Sequence, residues 1–215
     1  VARQKTTISR GAPKGDTYYG KTAQNYEVKR QKQAWWHVEQ TEMKALLTQL
    51  PDGLRVVDIP FGTGRFVPMY HEKGFKISGL DASGDMISTA KQILGDQFQG
   101  VDAHVGDAAD LPFEDAQFDL LVSTRFLRDI VVYRVAKDIL KEFSRVTKQY
   151  AILQLGHNRS EGFVPDPESP MGGSLSERDT LDLLKENDFE LMEKRLVLRH
   201  DKEGTDIYHM LCRKL

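Results

Sequence analysis

With 215 residues, 40% hydrophobic and 29% charged, the chain is long enough to bury a sizeable core and reads as one globular domain. A net charge of −2 gives no field to draw in nucleic acid or an anionic membrane, and no apolar run approaches the roughly 20 residues that span a bilayer. One cysteine, Cys212, excludes an internal disulfide framework and a cysteine-based zinc cluster, and fits a reducing, cytoplasmic compartment.

Residues 1–16 are polar and basic, read as a flexible arm, and lack the apolar stretch of a signal peptide. With no initiator Met, the chain reads as processed or as one domain cut from a longer protein. From Thr22 to about Leu50 the text has no Gly or Pro and predicts a helix, which Pro51-Asp52-Gly53 stops. A regular alternation follows. "LRVVDIP", "FKISGLD", "VDAHVGD", "FDLLVST" and "YAILQLG" read as short strands. "GRFVPMYHEKG", "SGDMISTAKQILG" with Ser83 as N-cap, and "VVYRVAKDILKEFSRV" read as helices between them. Strands alternating with helices predict a parallel α/β sheet with right-handed crossovers.

The end of the chain changes character. "HNRSEGFVPDPESPMGG" is rich in Pro and Gly and reads as an irregular loop, which at this length is usually functional or disordered. "SERDTLDLLKEND" predicts a helix with a capping box from Ser176 to Asp179. "FELMEKRLVLR" and "TDIYHMLCRKL" read as two strands joined by the turn "DKEG". An antiparallel hairpin finishing an α/β sheet is unlike most dinucleotide-binding domains, which continue with parallel units.

The stretch "VVDIPFGTGRF" carries the chemistry. Gly62 and Gly64 follow a buried strand, where glycines let backbone N–H groups approach a ligand and the next helix adds partial positive charge. Pro60 stands where such loops often place a glycine; it gives up one N–H and stiffens the entry. A G-x-G-x-x-G dinucleotide fingerprint needs a small residue at position 67, and Val67 stands there, which weakens a nicotinamide reading. Asp81 ends the second strand, where a carboxylate can accept both hydroxyls of a ribose. Gly106-Asp107-Ala108 ends the third, where an acceptor beside a free N–H suits an adenine edge. Either aspartate could instead be an ordinary cap or turn residue. Three anchors at consecutive strand ends, in order, exceed any one of them in weight.

On these residues the chain resembles the class I S-adenosylmethionine-dependent methyltransferases of the small-molecule type, from about Tyr18 to the C-terminus. "VVDIPFGTGRF" matches the family's first motif, "GLDAS" its second, and "GDAADLPFEDAQFDLLVST" its third and fourth. The resemblance implies a Rossmann-like three-layer sandwich with a seven-stranded, mostly parallel sheet and a C-terminal antiparallel hairpin. It implies a single domain over 17–215, with 17–50 as a helical cap and 157–175 as a loop over the acceptor. S-adenosylmethionine would be the cofactor and S-adenosylhomocysteine the product. Pro60, Phe61, Gly62, Thr63 and Gly64 would face the methionine half, ordered by Asp58. Asp81 would hold the ribose, with Ala82 and Met86 beside the adenine, and Asp107 and Ala108 at its edge. Ser123 would offer its backbone to the methionine amine, and Tyr18 or Tyr19 with Tyr26 would close the site.

Acceptor-facing positions are expected after the fourth and fifth strands, at Arg125, Arg128, His157 and Arg159. Several cations at one pocket favour a small acceptor carrying carboxylate or phosphate, a metabolite or a glycan. Surface pairing with Asp129 and Glu161 is the plainer account of each arginine alone. His157 is a candidate general base, although methyl transfer needs none unless the acceptor must lose a proton. The other histidines lack metal-ligand spacing, so no metal site is expected. The alternatives are a cofactor-binding regulatory module without turnover and an RNA or protein methyltransferase. The acidic balance and the absence of an Asn/Asp-Pro-Pro-Tyr motif speak against a nucleic acid acceptor. A homodimer is an open possibility, and no membrane partner is expected.

Overall fold

A computed structural model describes residues 20–131, 135–160, 174–201 and 204–215, with the side chains of residues 24 and 26–28 left aside. Three helices open the described chain: α1 (Lys21–Gln24), α2 (Tyr26–Gln31) and α3 (Ala34–Leu47). One continuous helix from Thr22 to Leu50 was expected, and the structure corrects it. Asn25 caps α1 and turns its amide back to the Lys21 carbonyl at 2.8 Å, a local bond that competes with helix. Gln33 is extended, with φ −87° and ψ 124°. The break lets α3 take its own angle and bury Met43, Leu46 and Leu47 against the sheet.

The alternation then runs as the periodicity predicts. It comprises β1 (Arg55–Asp58), α4 (Val67–Glu72), β2 (Lys76–Asp81), α5 (Gly84–Leu94), β3 (Asp102–Val105) and β4 (Phe118–Ser123). After them come α6 (Leu127–Ile130), α7 (Val135–Val146), β5 (Thr147–Asn158), β6 (Ser174–Leu175), α8 (Glu177–Glu186), β7 (Phe189–His200) and β8 (Thr205–Lys214). The sequence caps hold: Ser83 Oγ accepts the Met86 N–H, and Ser176 Oγ accepts that of Asp179. The expected 157–175 loop is shorter at both ends, because His157 and Asn158 continue β5 while Ser174 and Leu175 form β6. Residues 161–173 of that loop lie outside the described residues, as do the arm 1–16, Tyr18 and Tyr19.

The main sheet has the order β3-β2-β1-β4-β5-β8-β7, and β8 runs antiparallel to both β5 and β7 while the other pairs are parallel. β6 pairs with β5 at Gly156 and His157. Alternation along each strand divides the core between the two faces. Val57, Leu121, Leu153 and Met210 pack with Ile139, Leu140 and Phe143 of α7 and Leu184 of α8. Val56, Leu120, Ile152 and Leu211 pack with α3, with Val67 and Tyr70 of α4 and with Ala90 of α5. Helices therefore cover both faces, in a Rossmann-like three-layer sandwich. Among the described residues no helix is long and apolar enough to cross a membrane.

Candidate functional site

Register brings the carboxyl ends of four strands into line. Asp58 pairs with Gly79 and with Val122, and Asp81 pairs with Val105. Asp58, Asp81, Asp107 and Ser123 therefore stand along one edge of the sheet, where open α/β folds bind their ligands.

The loop after β1 is held by its neighbours. Its Ile59–Pro60 peptide is cis. The Phe61 N–H donates to the Leu80 carbonyl at 2.8 Å, and Gly62 N–H donates to Asp81 Oδ2 at 2.8 Å. Gly62 and Gly64 have φ of 58° and 67°, which side chains rarely tolerate. A Cβ on Gly64 would also lie 2.8 Å from Leu94 and 3.0 Å from Phe61. Thr63 is buried. Phe61 departs from its expected part as a cofactor contact: its ring is buried against Phe98 and Gly79, and its N–H is already used. It props the loop from below.

Asp81 is the hub of this edge. Its Oδ1 accepts the Ser83 N–H at 2.9 Å while Oδ2 takes that of Gly62. Burial raises its pKa, and the two N–H bonds act against the rise. Each oxygen keeps a second lone pair for a ligand hydroxyl. Asp58 lies beneath, accepting from Tyr70 Oη at 3.0 Å. Burial pushes its carboxyl up to about 7, against the Tyr70 bond and the Arg65 charge.

Met86 is buried beside Gly62, and Ala82 is exposed. Asp107 is exposed and spends Oδ1 on the Ala109 N–H at 2.9 Å, next to the buried Ala108. Val105, missed in the sequence, is 61% exposed at the end of β3 and adds an apolar surface beside Gly84. Its signal was an apolar residue at the last position of an otherwise mixed strand. Ser123 is fully buried at the end of β4, and its Oγ has no partner. The Gly20 N–H donates to Asp85 Oδ2 at 2.7 Å, tying the start of the described chain to α5. Tyr26 belongs to α2, but its side chain lies outside the description.

Beside this edge is a buried charge cluster that sequence reasoning did not find. Glu39 of α3 is fully buried. Its carboxylate accepts from Arg65 Nη1 at 2.6 Å, from Arg125 Nε at 2.9 Å and Nη2, and from Gln154 Nε2 at 2.6 Å. Burial alone would raise the Glu39 pKa; the two guanidiniums overcome it and hold it at about 2. Arg125, at φ 55°, also donates its N–H to Gln154 Oε1 at 2.9 Å. Its guanidinium lies 4.0 Å from the centre of the Trp35 ring.

The four expected acceptor residues fall apart into different roles. Arg125 is a strut between β4, α3 and β5, and pairs with Glu39, an acid far away in sequence. Arg159 clamps the hairpin, with its side chain on Asp206 and Asp201 and its N–H on the Gly204 carbonyl. His157 is buried against Tyr208; burial, then Lys194, lowers its pKa to about 4, so it is a poor proton acceptor near neutrality. Arg128 alone lines a cavity, together with Trp35, Gly156 and Ile207. Among the described residues no group of three or more His, Cys, Asp or Glu could hold a metal ion.

Residues 57–154 match the family described as "Methyltransferase domain". The demethylmenaquinone methyltransferase of Renibacterium salmoninarum is 35% identical over 96 residues, which are 45% of this chain and 38% of that protein. The chain thus spans well under half the length of that relative. Among solved structures, the [4+2]-cyclase SpnF overlays with a TM-score of 0.70 at 19% identity, covering 85% of this chain and 84% of that one. The magnesium protoporphyrin IX methyltransferase ChlM from Synechocystis PCC 6803, with bound SAM, overlays with a TM-score of 0.63 at 16% identity, covering 84% and 79%. At those identities the overlays speak for the fold.

Proposed function

We propose that this chain, a member of the class I S-adenosylmethionine-dependent methyltransferases by its matched segment and its fold, methylates a small anionic acceptor. The observation that carries the reading is the aligned edge, where Asp81 is bonded to the glycine loop and stands in register with Val105. The buried, unpartnered Ser123 Oγ at the same edge is the kind of polar atom a bound cofactor satisfies.

When bound, S-adenosylmethionine would supply an electrophilic methyl on a sulfonium, with S-adenosylhomocysteine as the leaving group. The residues of this chain do the positioning. Asp81 would take the ribose hydroxyls, and Gly62 to Gly64 allow close approach of the methionine half. Ala82, Met86, Val105, Asp107 and Ala108 would bound the adenine. Glu39, through Arg65 and Arg125, would hold the cofactor loop and the segment after β4 in fixed relation. Asp58, the edge carboxylate with a pKa near 7, is buried and committed to Tyr70 Oη. His157 has its pKa near 4, so among the described residues the chemistry suits an acceptor already nucleophilic near neutral pH. We read 17–215 as one domain capped by 17–50, in a cytoplasmic setting.

The second reading, a cofactor-binding module without methyl turnover, draws on the SpnF overlay only in that a protein named a cyclase shows the fold is not confined to methyl transfer. S-adenosylhomocysteine release, measured across a panel of small carboxylic and phosphorylated acceptors, separates the two. Acceptor-dependent release supports methyl transfer. Tight cofactor binding with no release across the panel favours the module.

A further inference from the structure

A cavity of about 330 Å³ opens beside the last residues of β5, near the lower end of small-molecule sites, which run from about 300 to 1,000 Å³. Leu153 is the last β5 residue in register with β4, opposite Ser123, and Gly156 in the cavity wall lies three residues further on. The cavity therefore opens at the same edge of the sheet as the cofactor loop. Its apolar wall is Trp35, Leu198 and Ile207; Arg128, His200 and the carboxylate of Asp129 are among its polar groups, so an anion must sit on the Arg128 side, away from Asp129.

Arg128 is the unusual member. Its side chain is only 15% exposed, and its Nε is buried without a hydrogen bond. Among the described residues its ion-pair partner is Asp129, at 3.6 Å, too long for a hydrogen bond, and the Asp129 side chain is 61% exposed. Glu39 offers little relief, because its carboxylate is already shared by Arg65 and Arg125. Guanidiniums of Arg125, Arg128 and Arg30 lie 4.0, 5.4 and 5.9 Å from the Trp35 ring centre, so positive charge gathers at one indole. A largely desolvated guanidinium with a buried, unpartnered Nε–H, beside an apolar wall, is a seat for an oxyanion.

We propose that this cavity is the acceptor site and that the acceptor is a small amphipathic oxyanion, its carboxylate or phosphate held by Arg128 and its apolar body against Trp35, Leu198 and Ile207. The assignment of the ligand as acceptor rests on the methyltransferase reading; the oxyanion seat itself does not. Arg125 and Arg159, tied to Glu39 and Asp206, are not part of the seat.

Saturation-transfer NMR on the full chain tests it, with benzoate, phenyl phosphate and the neutral analogue benzyl alcohol as probes and no cofactor present. The expected result is binding of benzoate or phenyl phosphate with benzyl alcohol much weaker; which anion binds better tells a carboxylate acceptor from a phosphorylated one. R128Q should weaken the anions roughly tenfold or more, and R128K should restore part of that loss. Benzyl alcohol binding as well as the anions overturns the proposal, and the wild-type comparison alone decides this if R128Q does not fold. Undiminished anion binding by folded R128Q overturns it too. A separate titration of the wild type with S-adenosylmethionine tests the family reading, so the two ideas fail independently.

Discussion

The edge from β1 to β4 and the ground around Trp35 flank each other on the same side of the sheet, but they are made of different material. The first uses backbone: N–H groups of Gly62 and Ser83 on one carboxylate, glycines at positive φ, and strand ends in register, all within residues 58–123. The second uses side chains brought from far apart. Arg65 lies 26 residues from Glu39, Arg125 lies 86 away and Gln154 lies 115 away. A ligand common to a whole family can be met by backbone and one carboxylate. On the proposed reading an individual acceptor needs side chains, and those would come from the third helix, the segment after β4 and the hairpin.

If that contrast is right, breaking the side-chain cluster should cost stability most. E39A leaves two guanidiniums buried without their carboxylate and should lose about 3–5 kcal/mol in urea denaturation at neutral pH. The wild type should also show the cluster in its acid limb. Because the folded Glu39 pKa is near 2, below the ordinary 4.5, its contribution is complete above about pH 4.5 and is lost as pH falls through about 2. E39Q should lack that dependence.

Breaking the backbone edge should show in binding before stability. D81A removes the acceptor shared by Gly62 and Ser83 and should weaken S-adenosylmethionine on the order of 10–100-fold by calorimetry. Probe binding in the Arg128 cavity should be left much as it was.

Asp58 sharpens the comparison in the opposite pH direction. Its folded pKa is raised to about 7 from 3.8, so its stabilising effect is complete below about pH 4 and is lost as pH rises through about 7. D58N keeps an acceptor for Tyr70 without the ionisation. Relative to it, wild-type stability should fall between pH 4 and 7, read by thermal denaturation across that range. The smallest effect is expected at a helix cap: S176A, which removes the cap of α8, should cost about 1 kcal/mol.

Legibility in the sequence follows the same division. The strand-helix alternation, the Ser83 and Ser176 caps and the C-terminal hairpin depend on neighbours in the chain, and periodicity or cap chemistry exposes them. Asp81 and the glycines were readable because strand ends are short-range features. The breaks at Asn25 and Gln33 were not, because no Gly or Pro marks them and packing of α3 on the sheet decides the angle. Nor was Glu39: in sequence it is one acid on a polar-looking helix. The same blindness set three arginines at one pocket, whereas distant acids claim Arg125 and Arg159 and leave Arg128 in the cavity wall.

The central claim is that the aligned edge is a seat for S-adenosylmethionine organised by Asp81. Isothermal titration of the wild-type chain and of D81A with this cofactor tests it most directly. The account predicts one site of micromolar affinity in the wild type, sharply weakened in folded D81A. No heat of binding at micromolar levels in the wild type, or equal affinity in the two proteins, would contradict it.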